Sequence, residues 1–123
     1  SEESASLFRA VHLLVSELLK EGITVVLDAT NLGEYHREHL YHVAKQTGAK
    51  LVVVHICAPP ELVHQRLQGR ASGRDPWDNS DADWQVYTKM RPTAEVIRRN
   101  HFRVDTSRDI APAVEKIACI IER

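Results

Sequence analysis

The chain has 123 residues, 43% hydrophobic and 27% charged. That size suits one globular domain, and the composition excludes global disorder. A formal net charge of −1 excludes a broad electrostatic pull toward nucleic acid or an anionic membrane. No apolar run approaches the ~18 residues that span a bilayer, and no signal-peptide pattern opens the chain. A reducing cytoplasm is therefore expected, with Cys57 and Cys119 as buried thiols in apolar runs. The chain starts at Ser1 rather than a methionine, which reads as trimming, a tag scar or an excised piece.

From Ser4 to Lys20, apolar residues at Leu7, Val11, Leu14, Val15 and Leu18 mark one face of a helix. Gly22 suits its C-terminus, where a left-handed residue is favoured. The continuous apolar run Ile23 to Leu27 predicts a strand buried on both faces. Asp28 to Gly33 forms a loop, and a second helix follows from Glu34 to Gln46, stopped by Gly48. Leu51 to Cys57 predicts another buried strand, and Pro60 opens a helix running to about Arg70.

Ala71 to Asp81 is polar and rich in turn formers, a lid-like loop. Ser80 or Asp81 would cap a short helix running to about Lys89. Phe102 to Val104 predicts a short strand ending in Asp105-Thr106-Ser107, and a last helix from Asp109 should bury Val114, Ile117 and Ile121. Strands alternating with helices imply an α/β fold, three-layered α/β/α, with a parallel sheet in one domain over 1–123.

Ligands in open α/β sheets bind beyond the carboxyl ends of the strands, where Asp28, Thr30 and Asn31 stand. A carboxylate there either holds a magnesium-bound water or takes a proton from an attacking hydroxyl, or else it bonds the backbone of its own turn. Arg66, Arg70 and Arg74 recur every fourth residue. They either neutralise charge on a transferring phosphoryl group or form a solvated stripe paired with Glu61 and Asp75.

His36, His39 and His42 are neighbours on the second helix, but no His-Glu-x-x-His pattern or cysteine cluster accompanies the seven histidines. The pattern argues against a zinc site. Tyr35, Tyr41, Trp84 and Tyr87 could stack on a base or sugar, or serve in packing.

In order along the chain stand Gly22 with Val25-Val26-Leu27-Asp28-Ala29-Thr30-Asn31, then Arg37, Ala58-Pro59-Pro60-Glu61 and Arg66-Leu67-x-x-Arg70. Ser80-Asp81-Ala82 with Tyr87 and Val104-Asp105-Thr106-Ser107 follow. Together they resemble the P-loop kinases of the polynucleotide-kinase and zeta-toxin-like group, which includes AAA-type predicted kinases.

The resemblance implies a partial P-loop NTPase fold that lacks its first strands. It places Asp28 beside magnesium and the acceptor, with Thr30, Asn31 and Arg37 binding the acceptor. Arg66 and Arg70 would act on the nucleotide phosphates, with Arg74 and the Asp105-Thr106 turn against the nucleotide. Magnesium and ATP are the implied cofactors, and a small molecule or nucleic-acid hydroxyl the acceptor.

The family's opening Gly-x-x-x-x-Gly-Lys-Ser/Thr loop is missing, because none of Gly22, Gly33, Gly48, Gly69 and Gly73 precedes a lysine. Backbone amides and a lysine of that loop cradle phosphates, so neither ATP nor magnesium is expected to bind tightly to this chain alone. The sheet would also lose a central strand, so the Ile23 and Leu51 strands would pair directly, leave a groove, or borrow a strand from a second copy in a homodimer through the gap. Two readings result: part of a kinase inactive as this chain alone, or a catalytically silent binding module of the same ancestry. A hydrolytic metal enzyme has no ligand cluster behind it.

Overall fold

The computed structural model describes residues 2–73 and 83–123. The chain divides into two compact units, Ser1–Leu51 and Val52–Arg123.

The first unit pairs two helices, α1 (Glu2–Lys20) and α2 (Glu34–Thr47). Both end as their glycines dictate. Gly22 has φ +77° and donates its amide to Leu19 O (3.0 Å), while the Ile23 amide reaches Leu18 O (3.0 Å). Gly48 has φ +68°, and Ala49 N reaches Ala44 O at 2.9 Å. Each glycine thus adopts the left-handed turn that satisfies the last carbonyls of its helix. Tyr41 and Ala44 on α2 are buried. The apolar face of α1 is covered only in part: Val11, Val15 and Leu18 are half-buried, while Leu7 and Leu14 are exposed.

Ile23 to Leu27 corrects the sequence expectation. The run forms no ladder strand, and Val26 is 86% exposed. A strand is stabilised by neighbours that take up its amides and carbonyls, and among the described residues none pairs with this run.

In the second unit, β1 (Val54–Cys57) pairs in parallel with β2 (Phe102–Asp105), in register from Val54–Phe102 to Cys57–Asp105. The fold is therefore α/β with a parallel sheet, as the alternation of elements implied. Between the strands lie α3 (Pro60–Ser72), α4 (Trp84–Met90) and a 3-10 turn at Arg91–Thr93. Pro60 opens α3 as expected.

The cap of α4 is Asp83, whose carboxylate accepts the Val86 amide at 2.8 Å, rather than Ser80 or Asp81. Trp84 stacks on His64 of α3 at 4.3 Å and on Tyr87 at 5.2 Å, so these rings pack helix on helix. Val104 is the buried residue of the sheet.

Helix α5 (Ala111–Glu122) closes the unit, with Lys116 Nζ lying 5.8 Å from the Phe102 ring centroid. Val114 and Ile121 are exposed rather than buried, and so is Cys119; Cys57 is half-buried. Ile117 is half-buried, so the apolar side of α5 has only part of the cover its pattern anticipates. Among the described residues no helix is long and apolar enough to cross a membrane.

Candidate functional site

In the first unit the site is a loop held open by one arginine. Asn31 adopts φ +41°, a left-handed conformation that asparagine tolerates better than most residues. The turn it makes directs the carbonyls of Asn31 and Leu32 back toward the first turn of α2. There Arg37 Nε donates to Asn31 O at 2.7 Å, and a second guanidinium nitrogen donates to Leu32 O at 2.7 Å.

A third nitrogen forms an ion pair with Glu34. Arg37 is only 6% exposed, so its charge is removed from water and compensated locally. Asp28 and Thr30 are exposed on the same loop. The arrangement presents a carboxylate and a hydroxyl to solvent from a loop whose far end is fixed. Arg37 is the fixing group, with its hydrogen bonds directed at the loop backbone and at Glu34.

In the second unit the site lies at the carboxyl ends of the two parallel strands. Thr106 N donates to Cys57 O at 2.9 Å, extending the ladder by one residue. The Thr106 hydroxyl donates to that same carbonyl at 3.3 Å. It also accepts from one Arg66 nitrogen at 2.7 Å, while a second Arg66 nitrogen donates to Thr106 O at 2.9 Å.

The planar fork of Arg66, projecting from α3, thus closes over the turn after β2. Beside it, the Asp105 carboxylate accepts from the Ser107 amide (2.9 Å) and hydroxyl (2.6 Å). Those bonds, the hydroxyl's foremost, hold the Asp105 carboxyl below its ordinary pKa, with weaker help from Arg108 and Arg103. Arg70 is exposed one helical turn beyond Arg66, and Arg74 lies outside the described residues, as does most of the lid-like loop.

Arg66 and Thr106, forty residues apart, are brought together, as are Asn31 and Arg37. Sequence reasoning overlooked two participants. Glu34 completes the Arg37 anchor, and its place three residues before Arg37 on a helix was a readable signal. The Cys57 carbonyl receives two bonds from Thr106, and main-chain acceptors leave no mark in side-chain pattern. Among the described residues no group of three or more His, Cys, Asp or Glu side chains is placed to hold a metal ion.

A sequence-family model described as an AAA domain matches residues 1–97. No curated protein and no solved structure matches the chain. The family match covers both the Asp28 loop and Arg66, and it agrees with the parallel α/β architecture. The chain belongs to the AAA domain family, within the kinase-like P-loop NTPases.

Proposed function

We propose that this chain is part of an ATP-dependent kinase acting on a small molecule or a nucleic-acid hydroxyl, and that it is inactive by itself. The observation that carries this reading is the AAA domain match over residues 1–97, a span that contains Asp28, Thr30, Asn31, Arg37, Arg66 and Arg70. Phosphoryl transfer depends mainly on positioning and on neutralising charge. The two arginine-braced turns are suited to that work.

In this reading Asp28 is the exposed carboxylate that orients the acceptor hydroxyl and takes up its proton, with Thr30 and Asn31 completing the acceptor pocket. Arg37 positions the loop. Arg66 and Arg70 supply donors to phosphate oxygens, and the Asp105-Thr106 turn borders the nucleotide.

A hydrated magnesium ion fits the exposed Asp28, since magnesium commonly takes one or two carboxylates together with substrate phosphates and water. Bound there, it would neutralise charge on the phosphates. ATP does not fit this chain alone, because the sequence holds no glycine-lysine loop to cradle the phosphates. The same missing loop favours the second reading, a silent binding module.

Calorimetric titration with magnesium-ATP tests the first reading: no saturable heat is expected, and binding in the micromolar range would overturn the claim of inactivity. Reading the coding sequence upstream of Ser1 in frame separates the two readings. A strand, glycine-rich loop, helix and second strand in about 45–60 residues would establish the kinase. An initiation codon at this position would establish the silent module.

A further inference from the structure

Three histidines that the kinase reading leaves unused, His12, His36 and His39, gather at the α1–α2 seam. His12 of α1 stacks with His39 of α2 at 5.6 Å, and Phe8 stacks with His36 at 4.6 Å. Tyr35 meets the His39 ring edge-on at 4.8 Å. With Arg9, these side chains border a cavity of about 430 Å³, and among the described residues no carboxylate lines it.

A proton gained by His12 adds a positive charge beside two other imidazoles and a guanidinium. Burial already holds His12 below the ordinary imidazole pKa, and the positive charges of His39 and His36 lower it further.

We propose that the α1–α2 seam is an acid-responsive latch, in which the stacked rings of Phe8, His12, Tyr35, His36 and His39 hold the helices while His12 is neutral and release them as it takes up a proton. The groups facing His12 are Arg9 on its own helix and Tyr35, His36 and His39 on α2. None of them offers a negative charge at neutral pH to offset the gain.

The sign follows from linkage. His12 binds its proton more weakly in the packed seam than in the unfolded chain, so the open form takes up more protons. Seam stability is full above the ordinary imidazole pKa and falls as pH drops from there to the lowered folded value. Because α2 also carries Arg37, the latch lies on the helix that anchors the Asp28 loop. The proposal stands on the seam alone and does not require kinase activity.

The test is nuclear magnetic resonance of the full chain between about pH 8 and about pH 5, the range in which imidazoles titrate. The His12 ring signals should titrate below the ordinary value. Amide exchange in α1 and α2 should accelerate over the same interval, with α3 and α5 unchanged. Each unit by which the midpoint is lowered corresponds to about tenfold in exchange rate.

In a His36→Gln, His39→Gln variant the His12 midpoint should rise part of the way toward the ordinary value and the acceleration should shrink. An ordinary His12 midpoint in the parent chain would overturn the proposal, as would acceleration undiminished in the variant or spread evenly over the chain. If the variant does not fold, the Phe8–His36 ring contact in the parent chain decides. Its loss should track the His12 titration, and its survival through that titration would refute the latch.

Discussion

Replacing Arg37 with methionine keeps most of the aliphatic stem but removes every donor from the Asp28 loop. The side chain of Arg37 is 7% exposed and that of its partner Glu34 18% exposed, so solvent screens the loss only weakly. Two charge-assisted bonds to main-chain carbonyls vanish, each ordinarily about 1.5–3 kcal/mol. Breaking a buried ion pair from one side costs about 3–5 kcal/mol, since the orphaned charge stays in place. These effects describe the same guanidinium and do not add. Arg37→Met should therefore cost about 3–5 kcal/mol, a large share of the ~5–15 kcal/mol of a typical domain.

Urea unfolding followed by circular dichroism would measure the loss, with amide exchange at residues 31–35 reporting whether the loop has come free. Arg37→Lys should fall between, because an ammonium cannot reproduce the planar fork. Glu34→Gln also orphans a buried charge, that of Arg37 itself, so its cost should be comparable, but both carbonyl bonds survive it and exchange at residues 31–35 should stay slow. A loss below about 1 kcal/mol for Arg37→Met, with loop exchange unchanged, would refute the anchoring role. Loop exchange accelerated as much by Glu34→Gln as by Arg37→Met would assign the anchor to the ion pair rather than to the carbonyls.

Asn31→Gly should be nearly neutral, whereas Asn31→Ala should cost about 1 kcal/mol in the same unfolding experiment, because φ +41° penalises a Cβ. Equal stabilities would contradict this. The lowered Asp105 pKa contributes stability above the ordinary carboxylate value, and this is lost as pH falls through the folded value. An acid titration should accordingly show less pH dependence in Asp105→Asn than in the parent chain.

Thr106→Val removes one Arg66 bond worth about 1 kcal/mol. If Arg66 is a phosphate ligand, the loosened fork should bind pyrophosphate about fivefold tighter by phosphorus resonance; unchanged affinity would make Arg66 a purely structural brace. Val26→Glu, at a position 86% exposed, should change unfolding free energy by less than about 0.5 kcal/mol. It should also lower any self-association seen by light scattering, and an undiminished mass would exclude the Ile23–Leu27 run as the contact.

Local signals in the sequence were legible wherever local physics decides. Gly22 and Gly48 stop their helices in the left-handed conformation, Pro60 opens α3, and the two paired strands are parallel. Features that depend on distant partners were not. The Ile23–Leu27 run has the composition of a buried strand, but a ladder needs a second chain segment beside it. The exposure of Val114, Ile121 and Cys119 has the same origin, since an apolar stripe states a demand for cover rather than its supply. His12 meets His39 across two helices, a pairing that spacing within either helix does not encode.

Arg37 and Arg66 read alike in the sequence, each an arginine within a helix that follows a turn. In the structure each directs its fork at loop backbone, yet their surroundings separate their roles. Arg37 is buried with Glu34, so leaving its carbonyls would strand a charge away from water. Arg66 is exposed, and each of its two bonds to Thr106 can be exchanged for water at a cost of about 1 kcal/mol or less. A bidentate phosphate would repay that exchange. Of the two, Arg66 is therefore the one suited to exchange its loop partner for another acceptor, whereas Arg37 is suited to hold its own loop in place.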